Sequence, residues 1–161
     1  MKKFLVLLVA LVACFSVSYA QQGQSAVGVY FNYGNETNVG LGVKYRYSFT
    51  DNWRIEPAFN YFFKHDYVSL WDLGANVHYL FHAGDKVNIY PLAGLHYANA
   101  TAHMKDLGFD ENESDGKFGV NLGAGVDFKV APALTVGVEA KYQIIDEFDQ
   151  LVVSAGITYC F

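Results

Sequence analysis

The last eleven residues, 151–161, alternate without a fault. Leu151, Val153, Ala155, Ile157, Tyr159 and Phe161 are apolar, and Val152, Ser154, Gly156, Thr158 and Cys160 between them are mostly small or weakly polar. A period of two over this length specifies a β-strand with one oily face. The same period runs through seven earlier segments: 26–33, 39–49, 53–63, 71–81, 87–98, 118–129 and 134–145. At ~3.3 Å per residue and a tilt near 40°, a strand of about eleven residues rises about 27 Å, the height of a membrane's apolar layer.

The two faces differ in kind. One is apolar throughout, with aliphatic residues in mid-strand and aromatic residues near the ends. Phe49, Trp53, Tyr79, Phe81, Phe128, Tyr159 and Phe161 stand at one rim, and Tyr33, Tyr61, Phe63, Trp71, Tyr97 and Phe118 at the other. Aromatic girdles of this sort mark membrane interfaces. The opposite face holds every charged residue inside the segments: Lys44, Arg46, Arg54, Glu56, Asp72, Asp127, Lys129, Glu139 and Lys141. The strand glycines share that face, which suits a crowded interior. A soluble lipocalin-like barrel also alternates, but its oily face lines a lipid cavity and its charges point into water. The expected fold is all-β, an eight-stranded antiparallel up-and-down transmembrane β-barrel, with the soluble lipid-binding barrel as the alternative.

The first twenty residues form a charged n-region at Lys2 and Lys3, an apolar run from Phe4 to Phe15, and a small-x-small site ending at Ala20. This is the pattern of a secretory signal peptide cut after Ala20, leaving 21–161 as the barrel domain. Leu11-Val12-Ala13-Cys14 also fits a lipobox with Cys14 lipidated. Without Lys2 and Lys3, nine basic residues stand against 16 acidic ones, a net charge of −7 that argues against a nucleic-acid partner. Cleavage also leaves Cys160 as the single cysteine, so no internal disulfide can form.

The pattern Ser154-x-Gly156-x-x-Tyr159-x-Phe161 resembles the C-terminal signal of bacterial outer-membrane barrels, polar-x-glycine-x-x-aromatic-x-aromatic. Residues 25–161 as a whole resemble the small eight-stranded family that includes OmpX and the OmpA membrane domain. The resemblance implies a monomer in the bacterial outer membrane, surrounded by lipid and lipopolysaccharide and inserted by the barrel assembly machinery. It implies no cofactor and no metal. Connections 50–52, 82–86 and 130–133 are the short set, expected in the periplasm, whereas 34–38, 64–70, 99–117 and 146–150 belong outside.

An eight-stranded interior can be filled by side chains. A turn centred on Asp51 puts Arg46 across from Glu56, and one centred on Gly84 puts Asp72 across from His96 and His78 across from Tyr90. Glu139 is expected beside Gly125 and Gly156, within reach of Lys44 or Arg54 across the bore. Lys44, Arg46, Arg54, Glu56, Asp72, His96, Glu139 and Lys141 thus form an expected lumen charge network of buried pairs, since an unpaired buried charge is costly. Its functional alternative is a narrow pore.

For an outer-leaflet lipid enzyme, the available rim residues are His65, Asp66, Ser69, His103 and Ser114. Adjacent His65 and Asp66 do not make a triad, so no enzyme is expected. Asp110-x-Asn112-x-Ser114 imitates half a calcium loop, but the glycine falls at Gly116 and position twelve is Asn121. The 99–117 connection mixes Leu107 and Phe109 with Asp106 and Asp110, which suits contact with an external ligand of unknown identity. The reading is a non-enzymatic protein with a structural or surface-interaction, adhesin-like role.

Overall fold

The computed structural model describes residues 23–65, 68–102, 113–145 and 148–161. Period-two sequence becomes strand throughout: β1 (Gln24–Gly34), β2 (Asn38–Ser48), β3 (Trp53–His65), β4 (Val68–Tyr79), β5 (Phe81–His82), β6 (Val87–Ala102), β7 (Glu113–Ala131), β8 (Leu134–Ile145) and β9 (Phe148–Cys160). All pairings are antiparallel, in the order β4-β3-β2-β1-β9-β8-β7-β6-β5, and a further β4–β6 pairing closes the sheet on itself. Two-residue β5 continues the path of β4, so eight strands make the barrel.

Burial shows which face is which. Val29, Phe31, Leu41 and Leu122 are about half exposed, while Tyr30, Lys44 and Glu56 are fully buried. The oily residues point out and the charges point in, the reverse of a lipocalin. An apolar surface wrapped around the whole barrel requires lipid against it, because water would not tolerate so large a patch.

Three details differ from the sequence-based expectation. The fourth crossing is interrupted at Leu80, which is buried against Tyr90 and Leu92. Its N–H donates to the Asn52 carbonyl at 2.6 Å and its own carbonyl accepts from Asn52 Nδ2 at 3.0 Å. The following turn is centred on Asp85, not Gly84. Phe81 faces Ile89 and His82 faces Asn88, while Gly84 sits off-centre at φ +134°. Register between β4 and β6 therefore slips by two: Asp72 lies across from Ala98 and His78 across from Leu92, so neither Asp72–His96 nor His78–Tyr90 is a directly opposed pair. A shift of two keeps every side chain on its face. Finally, β6 and β7 run beyond the expected 98 and 118 and stay paired to Ala102 and Glu113, so both ends of the expected 99–117 connection are strand.

Candidate functional site

The lumen is built by the even-numbered residues of β1–β6 and β9 and the odd-numbered residues of β7 and β8. At mid-height these bring six charges together. Lys44 Nζ lies 2.8 Å from Glu139 Oε1 and 3.2 Å from Glu56 Oε1. Arg46 donates from Nε to Glu56 and from Nη1 to both Asp127 oxygens, and Arg54 Nη1 reaches Asp127 Oδ2 at 2.8 Å. Three cations thus balance three carboxylates, and each of the six is at least nine-tenths buried. Of the two candidates for Glu139, Lys44 takes it and Arg54 turns to Asp127.

Two tyrosines complete the cluster. Tyr90 Oη accepts from Arg46 Nη2 and donates to Glu139 Oε2, both at 3.3 Å. The Tyr30 ring lies 4.3 Å beneath Lys44 Nζ, and its hydroxyl bonds Thr158 at 2.9 Å. Glycine makes the room: a Cβ on Gly125 would stand 2.5 Å from the Tyr90 ring. Gly125 is the partner of Glu139 on β7, as expected, but on β9 Glu139 faces Ser154, and Gly156 pairs with Gly137 and Tyr30 instead.

His78 stacks flat on Tyr90, with ring centroids 4.5 Å apart. Its Nδ1 accepts from Arg54 Nε and Nη2 at 3.2 and 2.9 Å, which puts the imidazole proton on Nε2. Glu56, His78 and Glu139 together have the composition of a metal site. The chemistry opposes it: Lys44 already supplies the cation between the carboxylates, and a protonated Nε2 has no lone pair to give.

Beyond this cluster, toward the long connections, the bore turns to amides. Thr37, Gln150, Gln143, Asn121 and Asn76 form one hydrogen-bonded chain, and Asn32 donates to Asn60, which donates to Asp72. Asp72 therefore has an amide partner in place of His96. His96 is buried between Gly74 and Gly119, and Lys141 beside Gly123 and Val152. All three lie apart from the six-charge cluster. Phe62, Leu70 and Val152 pack inside the outer end of the bore.

Asp127 faces inward by parity, yet no cation stands opposite it in register, so sequence reasoning leaves it out of the network. Tyr30 was hidden for the same reason. The one available signal was its position on the glycine-rich face.

In the terminal motif, Ser154 and Gly156 face the lumen, whereas Tyr159 and Phe161 stack outside it, ring centroids 6.5 Å apart. The Phe161 N–H bonds the Ser25 carbonyl at 2.9 Å. Asp106, Leu107, Phe109 and Asp110 lie outside the described residues, as do the leader, Asp66 and His103. His65 and Ser114 belong to strands β3 and β7.

Residues 7–161 match the model of a family described as outer membrane protein beta-barrel domain. The attachment invasion locus protein of Yersinia enterocolitica is 27% identical over 161 residues, covering 91% of this chain and 84% of the relative. Among solved structures, the N-terminal barrel domain of Pseudomonas aeruginosa OprF superposes with a TM-score of 0.73 at 18% identity, covering 87% of this chain and 98% of that one. Ail of Yersinia pestis, in complex with the heparin analogue sucrose octasulfate, gives 0.63 at 21% identity, covering 87% and 99%. The match spans almost the whole chain, and the inside-out facing of the barrel agrees with it: the chain belongs to the outer membrane protein beta-barrel domain family and is a protein of the bacterial outer membrane.

Proposed function

We propose that this protein works by contact at the cell surface, without catalysis, through the ribbon formed by β6 and β7. The observation that carries the reading is the height of that ribbon. Tyr97 opposite Phe118 marks the outer aromatic girdle, and five further pairs follow, from Ala98–Lys117 to Ala102–Glu113. At ~3.3 Å per residue this lifts the connection about 16 Å along the strands. β4 supports the wall as far as Val68 opposite Ala102. On the other side, one pair follows Tyr33 before the β1–β2 turn. A wall raised on one side, whose two strands are joined in sequence through Asp106, Leu107, Phe109 and Asp110, suits a contact surface. The similarity to an attachment invasion protein supports the same reading. Lipid and lipopolysaccharide fit the apolar wall, and the barrel assembly machinery fits the terminal motif.

Charge narrows the partner. In residues 21–161 the lumen holds four basic residues, including Lys141, and four acidic ones, including Asp72; the short-turn end holds Lys86 and, near the end of β7, Lys129, against Asp51 and Asp85. The outer end carries ten acidic residues against Lys64, Lys105 and Lys117, and so the whole net charge of −7. The Yersinia pestis relative is seen with a polyanion; an end this acidic repels one and favours a basic or apolar surface. The test is display on a non-adherent bacterium, with residues 103–112 replaced by a short turn. Adhesion to cultured cells or to a lysine-rich matrix should be lost with the replacement and weaken in salt. Unchanged adhesion, or retention on heparin beads, would sink the proposal.

A further inference from the structure

The end of the barrel with the short turns opens into a cavity of about 360 Å³. Arg46, Arg54 and Asp127 close it from within, Ser48 and Thr135 line its side, and Asp51 and Asp85 stand on the turns at its mouth. Arg54 is 7% exposed. Of its five N–H groups, Nε–H and one on Nη2 converge on His78 Nδ1, and one on Nη1 goes to Asp127. One N–H on each terminal nitrogen has no acceptor among the described residues. Two such donors on one planar guanidinium can take the oxygens of a carboxylate.

The cavity is polar and lies at the small end of the range for ligand pockets, roughly 300–1,000 Å³. Its lining sets Arg46, Arg54 and Lys129 against Asp51, Asp85 and Asp127, with both guanidinium groups inside and Asp51 and Asp85 on the turns. We propose that this vestibule binds a free amino acid or short peptide from the periplasm, its carboxylate inward on Arg54 and its ammonium group toward Asp51 and Asp85. Neither end of such a ligand need lose its charge. The site is at the opposite end of the barrel from the surface contact and stands or falls independently of it.

The test uses the full chain in lipid nanodiscs, with the Arg54 side-chain N–H signals followed by NMR. Trialanine should shift them saturably, while trialanine amide, which lacks the carboxylate, should not. Arg54→Gln removes a cluster member and can unfold the barrel, so Ser48→Trp is the better variant: it fills the cavity and leaves the ion pairs in place. Loss of the trialanine response in Ser48→Trp supports the site. Equal shifts with both peptides, no shift with either, or a response that survives Ser48→Trp overturns it.

Discussion

Glu139 is fully enclosed, holding Lys44 through one oxygen and Tyr90 through the other. Replacing it by Gln leaves Lys44 beside Glu56 alone and breaks the three-to-three balance of the cluster. Truncating one partner of a buried pair costs about 3–5 kcal/mol, so Glu139→Gln should lower the urea midpoint of the barrel strongly. The same change at exposed Asp85 should stay within about 0.5 kcal/mol. Gly125 probes the packing of the same cluster. An alanine there brings a methyl group against Tyr90, and overpacking a filled interior costs about 1–3 kcal/mol. Equal midpoints for Gly125→Ala and the parent would mean that Tyr90 moves freely. Facing was legible in the sequence at this scale, because parity alone turns Lys44, Arg46, Arg54 and Glu139 inward. Partnership was legible in part: Arg46–Glu56 follows from the turn, and Lys44 is one of two cations expected within reach of Glu139. Arg46–Glu56 is a neighbour pair on one hairpin, but Arg46–Asp127 and Lys44–Glu139 cross the bore and depend on the curvature of the closed sheet.

Strand ends were less legible than strand middles, for a physical reason. Period-two hydrophobicity exists only where one face meets lipid. Past Tyr97 and Phe118 both faces of the β6–β7 ribbon leave the membrane, and Ala98-Asn99-Ala100-Thr101 has no oily face to betray a strand. The turn near Gly84 differs in another way, since the hairpin is centred on Asp85 and its first strand breaks at Leu80. The ribbon yields a prediction about folding. Residues 103–112 lie beyond the last β6–β7 pair, Ala102–Glu113. Replacing them by a short turn removes no inter-strand pair among the described residues, and loop length enters stability only logarithmically, at about 0.6 kcal/mol per doubling. The heat-induced shift in gel mobility of the shortened protein should therefore occur at the parent's temperature. Cutting further, from 99 to 117, removes pairs with β4 as well as with β7 and should lower it.

On the scale of the whole molecule, the barrel is sealed where β1 meets β9, the first and last strands of the described chain. Phe161 joins that seam by its N–H to the Ser25 carbonyl and stacks on Tyr159 outside the wall. Ser154 and Gly156, in contrast, pack within the lumen against Asn32 and Tyr30. The terminal motif thus divides into two residues inside the lumen and two on the outer wall. If Tyr159 and Phe161 are kept for recognition by the assembly machinery, their loss should damage assembly more than stability. Phe161→Asp should then refold from urea into detergent with a midpoint close to that of the parent. In cells the same variant should accumulate unassembled, with little heat-modifiable protein in the outer membrane. Normal assembly of Phe161→Asp in cells would remove the signal reading. Failure in both settings would assign Phe161 to the seam itself.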